Sequence, residues 1–181
     1  MKRFGYYFIV IIILIILTAC SKKMVQQSVV TDLYDGKDLI IGIIGDTPRV
    51  REDNVEFVEI EFFDLEQESF MTQYDAILIT KENLSEAAEA SYASIYMKSK
   101  IPFFFIQNKK SYIPFVKEDL SYEDVPIQDN NSYATGFIYD NNVLTYWGYC
   151  LYNDIENDTN VNDVFTRIFE TITQVKNDGN E

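Results

Sequence analysis

The sequence predicts an α/β domain, a three-layer sandwich built on a mainly parallel central sheet with an antiparallel hairpin near the C-terminus. Three observations predict it. Short apolar runs end at turn residues, as strands covered on both faces do. A helically spaced apolar pattern separates two of these runs. After two β-rich segments joined by Asp140-Asn141-Asn142, a second helical stripe closes the chain.

Leu39-Ile40-Ile41-Gly42-Ile43-Ile44 is continuously apolar and stops at Gly45-Asp46-Thr47-Pro48, which marks a central strand meeting a turn. From Val55 to Phe63 the pattern alternates, with Val58, Ile60 and Phe62 on one face and Glu59 and Glu61 on the other beside Phe57, as on a half-wet edge strand. Only ten residues join these two strands, and a parallel crossover normally takes a dozen or more, so the second is allowed to run antiparallel to the first. A short helix is expected over Leu65 to Gln73.

Asp75 to Ile79 and Ile101 to Ile106 again read as buried strands, with Pro102 at a strand start where its missing N–H is tolerated. Between them, Glu82 to Lys98 places Leu84, Ala88, Tyr92, Ile95 and Tyr96 at helical spacing, with Asn83 and Glu86 as a capping box. Lys109 to Ser132 is a long, weakly patterned connection containing Pro114 and Pro126. Tyr133 to Tyr139 and Val143 to Leu151 form the hairpin. Val161, Val164, Phe165, Ile168, Phe169, Ile172 and Val175 form the last helical stripe, with Asn160 or Asn162 as its cap. A hairpin followed by a helix also looks loosely like the C-terminal half of a thioredoxin-type fold, the alternative architecture.

Ahead of this domain, Lys2 and Arg3 precede an apolar run from Tyr6 to Leu17, followed by Thr18, Ala19 and Cys20. That is a charged segment, a short apolar segment and a small-residue cleavage site. Leu17-Thr18-Ala19-Cys20 resembles the lipobox of bacterial lipoproteins. The resemblance implies that residues 1–19 are a signal peptide and that the Cys20 thiol receives a diacylglyceryl group. It further implies a protein anchored in the cell membrane by its lipid and lying on the extracytoplasmic face. Several acyl chains on one cysteine hold a protein firmly where a single chain does not. Residues 20–34 then read as a polar tether, residues 35–176 as one domain, and residues 177–181 as a disordered tail.

The chain carries 15 basic and 29 acidic residues, a formal charge of −14, and loss of Lys2 and Arg3 with the signal peptide deepens it. Nucleic acid is not an expected partner. There is no histidine, which removes Ser-His-Asp and Cys-His nucleophile pairings, imidazole acid–base catalysis and the common histidine-containing zinc sites. With Cys20 acylated, Cys150 is the sole thiol, so neither an internal disulfide nor a Cys-x-x-Cys redox pair can form.

No cofactor or metal is expected. Gly42 to Asp46 lacks the third glycine and the Lys-Ser or Lys-Thr of nucleotide loops and reads as a tight turn. Asp154, Glu156, Asp158, Asn160 and Asn162 alternate like a calcium loop, but Thr159 stands where glycine is needed and Phe165 where glutamate is. Glu59 and Glu61, two apart on one strand, read as solvated edge charge rather than a catalytic pair.

Two binding surfaces remain. The hairpin crowds aromatic residues, with Tyr139, Tyr146, Trp147 and Tyr149 as candidates for contact with a protein partner. The open-sheet rule places a small-ligand crevice beyond the carboxyl ends of the strands, at Asp46 and Thr47, at Lys81, and at Gln107, Asn108 and Lys109. Basic residues gather at these ends, which suits a small anionic or polar ligand. The leading expectation is a non-catalytic domain that binds a protein or envelope component at the membrane surface. The alternative is a small-ligand receptor using the strand-end loops, and a carboxylate-based hydrolase comes third.

Overall fold

The computed structural model describes residues 29, 31–67, 69–128 and 132–178; the expected signal peptide, Cys20, residues 21–28 and 30 of the expected tether and residues 179–181 of the expected tail lie outside them. Six strands form one sheet in the order β2-β1-β3-β4-β5-β6: β1 (Leu39–Ile44), β2 (Val55–Glu59), β3 (Ala76–Ile79), β4 (Phe103–Ile106), β5 (Ser132–Asp140) and β6 (Val143–Cys150). β1 to β4 run parallel to one another, and β5 pairs antiparallel with both β4 and β6. The sequence of strands β2-β1-β3-β4-β5 is an order found in doubly wound α/β sheets, with a topological switch point between β1 and β3. It takes the place of the thioredoxin-like alternative.

The second strand is parallel to the first, pairing Leu39 with Val55 and Ile43 with Glu59, so the antiparallel option is corrected. Ten residues suffice because the return carries no helix. Extended chain covers about 3.3 Å per residue, ample to run back along a six-residue strand. The face that a crossover helix would cover is covered by α5 (Asp158–Asp178), to which the loop is fastened. Thr166 donates its hydroxyl to the buried Glu52 carboxylate at 2.7 Å and accepts from Arg51 Nη2 at 3.1 Å.

The two faces of the sheet separate by residue parity, as strand geometry requires. Ile41, Ile43, Leu78, Phe104 and Ile106 pack under Val164, Phe165, Ile168, Phe169 and Ile172 of α5. Ile77, Ile79, Phe103, Phe105 and Phe137 face the other layer. That layer contains α2 (Leu84–Ala87), α3 (Ala90–Lys98) and α4 (Ile113–Val116), while α1 (Phe70–Gln73) lies in the β2–β3 connection. Chain steps from β1 to β2 and from β2 to β3 run in opposite directions across the sheet. Crossovers of one hand must then lie on opposite faces, and Val50 and Phe62 do pack in opposite cores.

The single helix expected over 82–98 is divided. After the 3-10 turn Lys81–Asn83 and α2, Glu89 adopts extended angles before α3 begins. Tyr96, 1% exposed, reaches back from α3 to donate its hydroxyl to the Ala87 carbonyl at 2.9 Å, satisfying a group the break leaves open. The cap of α5 also differs. Asn157 Oδ1 accepts the N–H of Asn160 at 2.9 Å, whereas Asn160 is fully buried and donates to the Tyr152 and Ile155 carbonyls.

The hairpin turns on Asn141 and Asn142, both at positive φ, the two-residue arrangement that matches strand twist. Gly136 lies between Phe104 on β4 and Trp147 on β6, whose rings stack at 6.0 Å. A Cβ at Gly136 would fall 2.4 Å from the Phe104 ring, so the glycine makes room for the stack.

The packed part is longer at both ends than expected. Tyr34, assigned to the tether, is 6% exposed, lies edge-on to Phe169 and shares a 2.6 Å hydrogen bond with Thr173. Thr31 donates its hydroxyl to Asp163 at 2.7 Å. Asn177, assigned to the tail, lies within α5 and accepts from Lys37 at 3.0 Å.

Tyr149 carries a pH dependence. Its ring is buried on the α5 face and its hydroxyl donates to Thr171 at 2.8 Å. Burial pushes its pKa up to about 12 against the opposing pull of Thr171 and Arg167. Below about pH 10 both the folded and the unfolded chain keep the proton, and the contribution is complete. Between about pH 10 and pH 12 the unfolded chain ionises while the folded one does not, so stability falls by roughly 2–3 kcal/mol. Urea denaturation at about pH 9 and about pH 11.5 should show this loss, and Tyr149→Phe should make it shallower.

Candidate ligand-binding site

The ends of β1 and β3 are pinned together at the switch point. Thr80 gives both its N–H and its hydroxyl to the Ile44 carbonyl, at 3.0 and 3.3 Å, and Asn83 Nδ2 reaches the same oxygen at 3.4 Å. Gly45, at φ +108°, turns the chain away there; a Cβ on it would meet Thr80 Oγ1 at 1.9 Å. Asn83, expected to cap a helix, therefore serves the strand end.

Beyond this junction opens a crevice of about 450 Å³. Asp46, Thr47 and Arg49 line it from the β1 loop, Thr80 and Glu82 from the end of β3, and Gln107 from the end of β4. Tyr133 of β5 and the first turns of α5, with Asp158, Asn162 and Phe165, complete the wall. The volume falls within the range of small-molecule sites, and five segments of the chain converge on it.

Gln107 adopts φ +54°, and its Nε2 donates to Glu156 at 3.0 Å. Tyr133 is half-buried; burial, reinforced by the Glu156 carboxylate, pushes its pKa up to about 12, so its hydroxyl remains a proton donor at neutral pH. Asn162 Oδ1 is buried and has no hydrogen-bond partner, a condition that costs about 1–3 kcal/mol when nothing relieves it.

Of the residues the sequence assigns to a ligand, the structure brings Asp46, Thr47 and Gln107 together. It does not bring Lys81, Asn108 or Lys109 to the crevice. Lys81 and Lys109 are exposed outside it. Asn108 is fully buried and holds the following loop: its amide nitrogen donates to Thr135 Oγ1 at 2.6 Å and to the Lys110 carbonyl. Its oxygen accepts from Lys110 N–H and from the Tyr122 hydroxyl. The expected gathering of basic residues is corrected as well. Lys110 donates to the Tyr122 carbonyl, and the charged groups lining the crevice are three carboxylates and one guanidinium.

Sequence reasoning missed Tyr133, Asp158, Asn162 and Phe165 as members of this site. Asp158 and Asn162 carried a signal as part of the alternating oxygen run, but toward metal or capping. Among the described residues, no group of three or more aspartate, glutamate or cysteine side chains is placed to hold a metal ion. Glu59 accepts from Thr47 at 3.3 Å, whereas Glu61 begins the 3-10 turn Phe62–Glu66.

The hairpin aromatics are mostly occupied by packing. Tyr149 is 5% exposed and lies beneath the Arg167 guanidinium; Trp147 is half-buried on Phe104, and Tyr139 is half-buried. Tyr146 is 61% exposed, with its ring 4.7 Å from that of Tyr112. No known protein family, curated protein or solved structure matches the chain.

Proposed function

We propose that this protein is a non-catalytic binding domain, held at the extracytoplasmic face of the cell membrane through acylated Cys20, that takes a small polar ligand in its strand-end crevice. The observation that carries the ligand reading is the convergence of five chain segments at the β1–β3 switch point, where open α/β sheets bind their ligands. The hairpin fits a partner-binding role less well because two of its four candidate aromatics, Trp147 and Tyr149, are committed to the core. The lipobox resemblance supports the anchor, and mass spectrometry of the native product tests it: a bare Cys20, or residues upstream still attached, would overturn the assigned location.

Binding is tested by calorimetry of the full-length protein in detergent against a panel of small polar compounds. One molecule is expected per chain. Val161→Trp, which fills the crevice, should weaken capture at least tenfold, and Tyr146→Ala should leave it unchanged. Docking of an envelope protein on the hairpin is the second reading, favoured by the exposure of Tyr146 and Val143. A protein crosslinked in the native membrane and lost in Tyr146→Ala would favour it over the crevice.

A further inference from the structure

We infer that the crevice recognises an organic ammonium group, a conclusion that rests on the ligand-binding reading above and names the chemistry of its ligand. The charges are the first reason. Asp46, Glu82 and Asp158 enter from three different segments, against one cation, Arg49. Their summed field attracts positive charge, and a negatively charged ligand would meet three like charges for each favourable one. The second reason is their separation. No three acidic groups among the described residues are placed to share a metal ion, so the cation they suit is an extended organic one that reaches several of them.

Independent support comes from groups that carry no charge. Asn162 Oδ1 is a buried acceptor with no partner, on a residue lining this cavity. It needs an N–H or O–H donor. An ammonium group brings three donors, whereas a carboxylate brings none. The Tyr133 ring and the Phe165 side chain supply the apolar and aromatic surface on which an alkylammonium rests by cation–π attraction. Arg49 is available to the carboxylate of a zwitterion, so an amino acid and a plain amine share the recognised chemistry and differ at that one residue.

The test uses the full-length protein in detergent and four probes: 1,4-diaminobutane, glycine, succinate and glucose. Calorimetry should detect the diamine or glycine, with affinity falling at least tenfold in Asp158→Asn and in Glu82→Gln. An Arg49→Gln variant should lose glycine and keep the diamine. Asn162→Leu should bind at least fivefold more weakly while melting at the same temperature as the parent or higher, because the acceptor it removes has no partner in the folded chain; a purely structural asparagine would lower the melting temperature. Capture of succinate or glucose in place of the amines would overturn the ammonium assignment and leave the crevice a binding site. Capture of none of the four would overturn both.

Discussion

Phe105→Ala is expected to remove about 3–5 kcal/mol of folding stability, the range for truncating a buried aromatic. Phe105 is fully buried at the centre of the sheet. Its ring lies parallel to that of Phe115 at 3.6 Å, stacks with Phe137 at 5.7 Å and meets Tyr96 edge-on at 5.8 Å. Three elements therefore lose a common contact. Phe115 belongs to α4 in the long connection, so the cavity also loosens that connection from the sheet. Domains of this size are stable by only about 5–15 kcal/mol, and the variant should unfold at a much lower urea concentration. Fluorescence of the single tryptophan, Trp147, reports the transition; a loss below about 1 kcal/mol would show that the surroundings collapse into the gap.

Gly45→Ala should cost roughly 2–5 kcal/mol, combining backbone strain with overpacking. At φ +108° an L side chain is disfavoured whatever the space around it. Here the space is also taken, by Thr80 Oγ1 at 1.9 Å and Asn83 Nδ2 at 2.6 Å. Both groups hydrogen-bond to the Ile44 carbonyl, so a methyl group would separate the ends of β1 and β3. Ligand binding should suffer together with stability, since Asp46 and Thr80 stand on either side of that junction. Thr80→Ala in the same background should recover part of the stability by clearing the nearest atom. No recovery would assign the loss to the backbone angle alone.

The strands were legible because burial on both faces writes continuous apolar runs, and β1, β3 and β4 lie within the runs so identified. The direction of β2 was not. The length rule for parallel crossovers presumes a helix, and nothing local in residues 45–54 reveals that α5, more than a hundred residues later, covers the sheet in its place. Periodicity likewise passed over the break at Glu89, since Ala88, Tyr92 and Tyr96 keep helical spacing across it. In the crevice, Asp46, Thr47 and Gln107 were legible from strand ends alone. Asp158, Asn162 and Phe165 depend on where the N-terminal end of α5 docks, which is a property of the packed chain. The burial of Trp147 and Tyr149 was not legible for a related reason: alternation separates the two faces of a hairpin without telling which one a helix will cover.

The hydrogen bonds from Thr31 to Asp163 and from Arg51 to the Thr31 carbonyl fix the chain's point of entry beside Asn162 and Arg49 of the crevice wall. Ten residues lie between Cys20 and Thr31, a leash of about 40 Å at full stretch. With Cys20 acylated as proposed, the side of the domain that carries the crevice stays within that reach of the lipid headgroups.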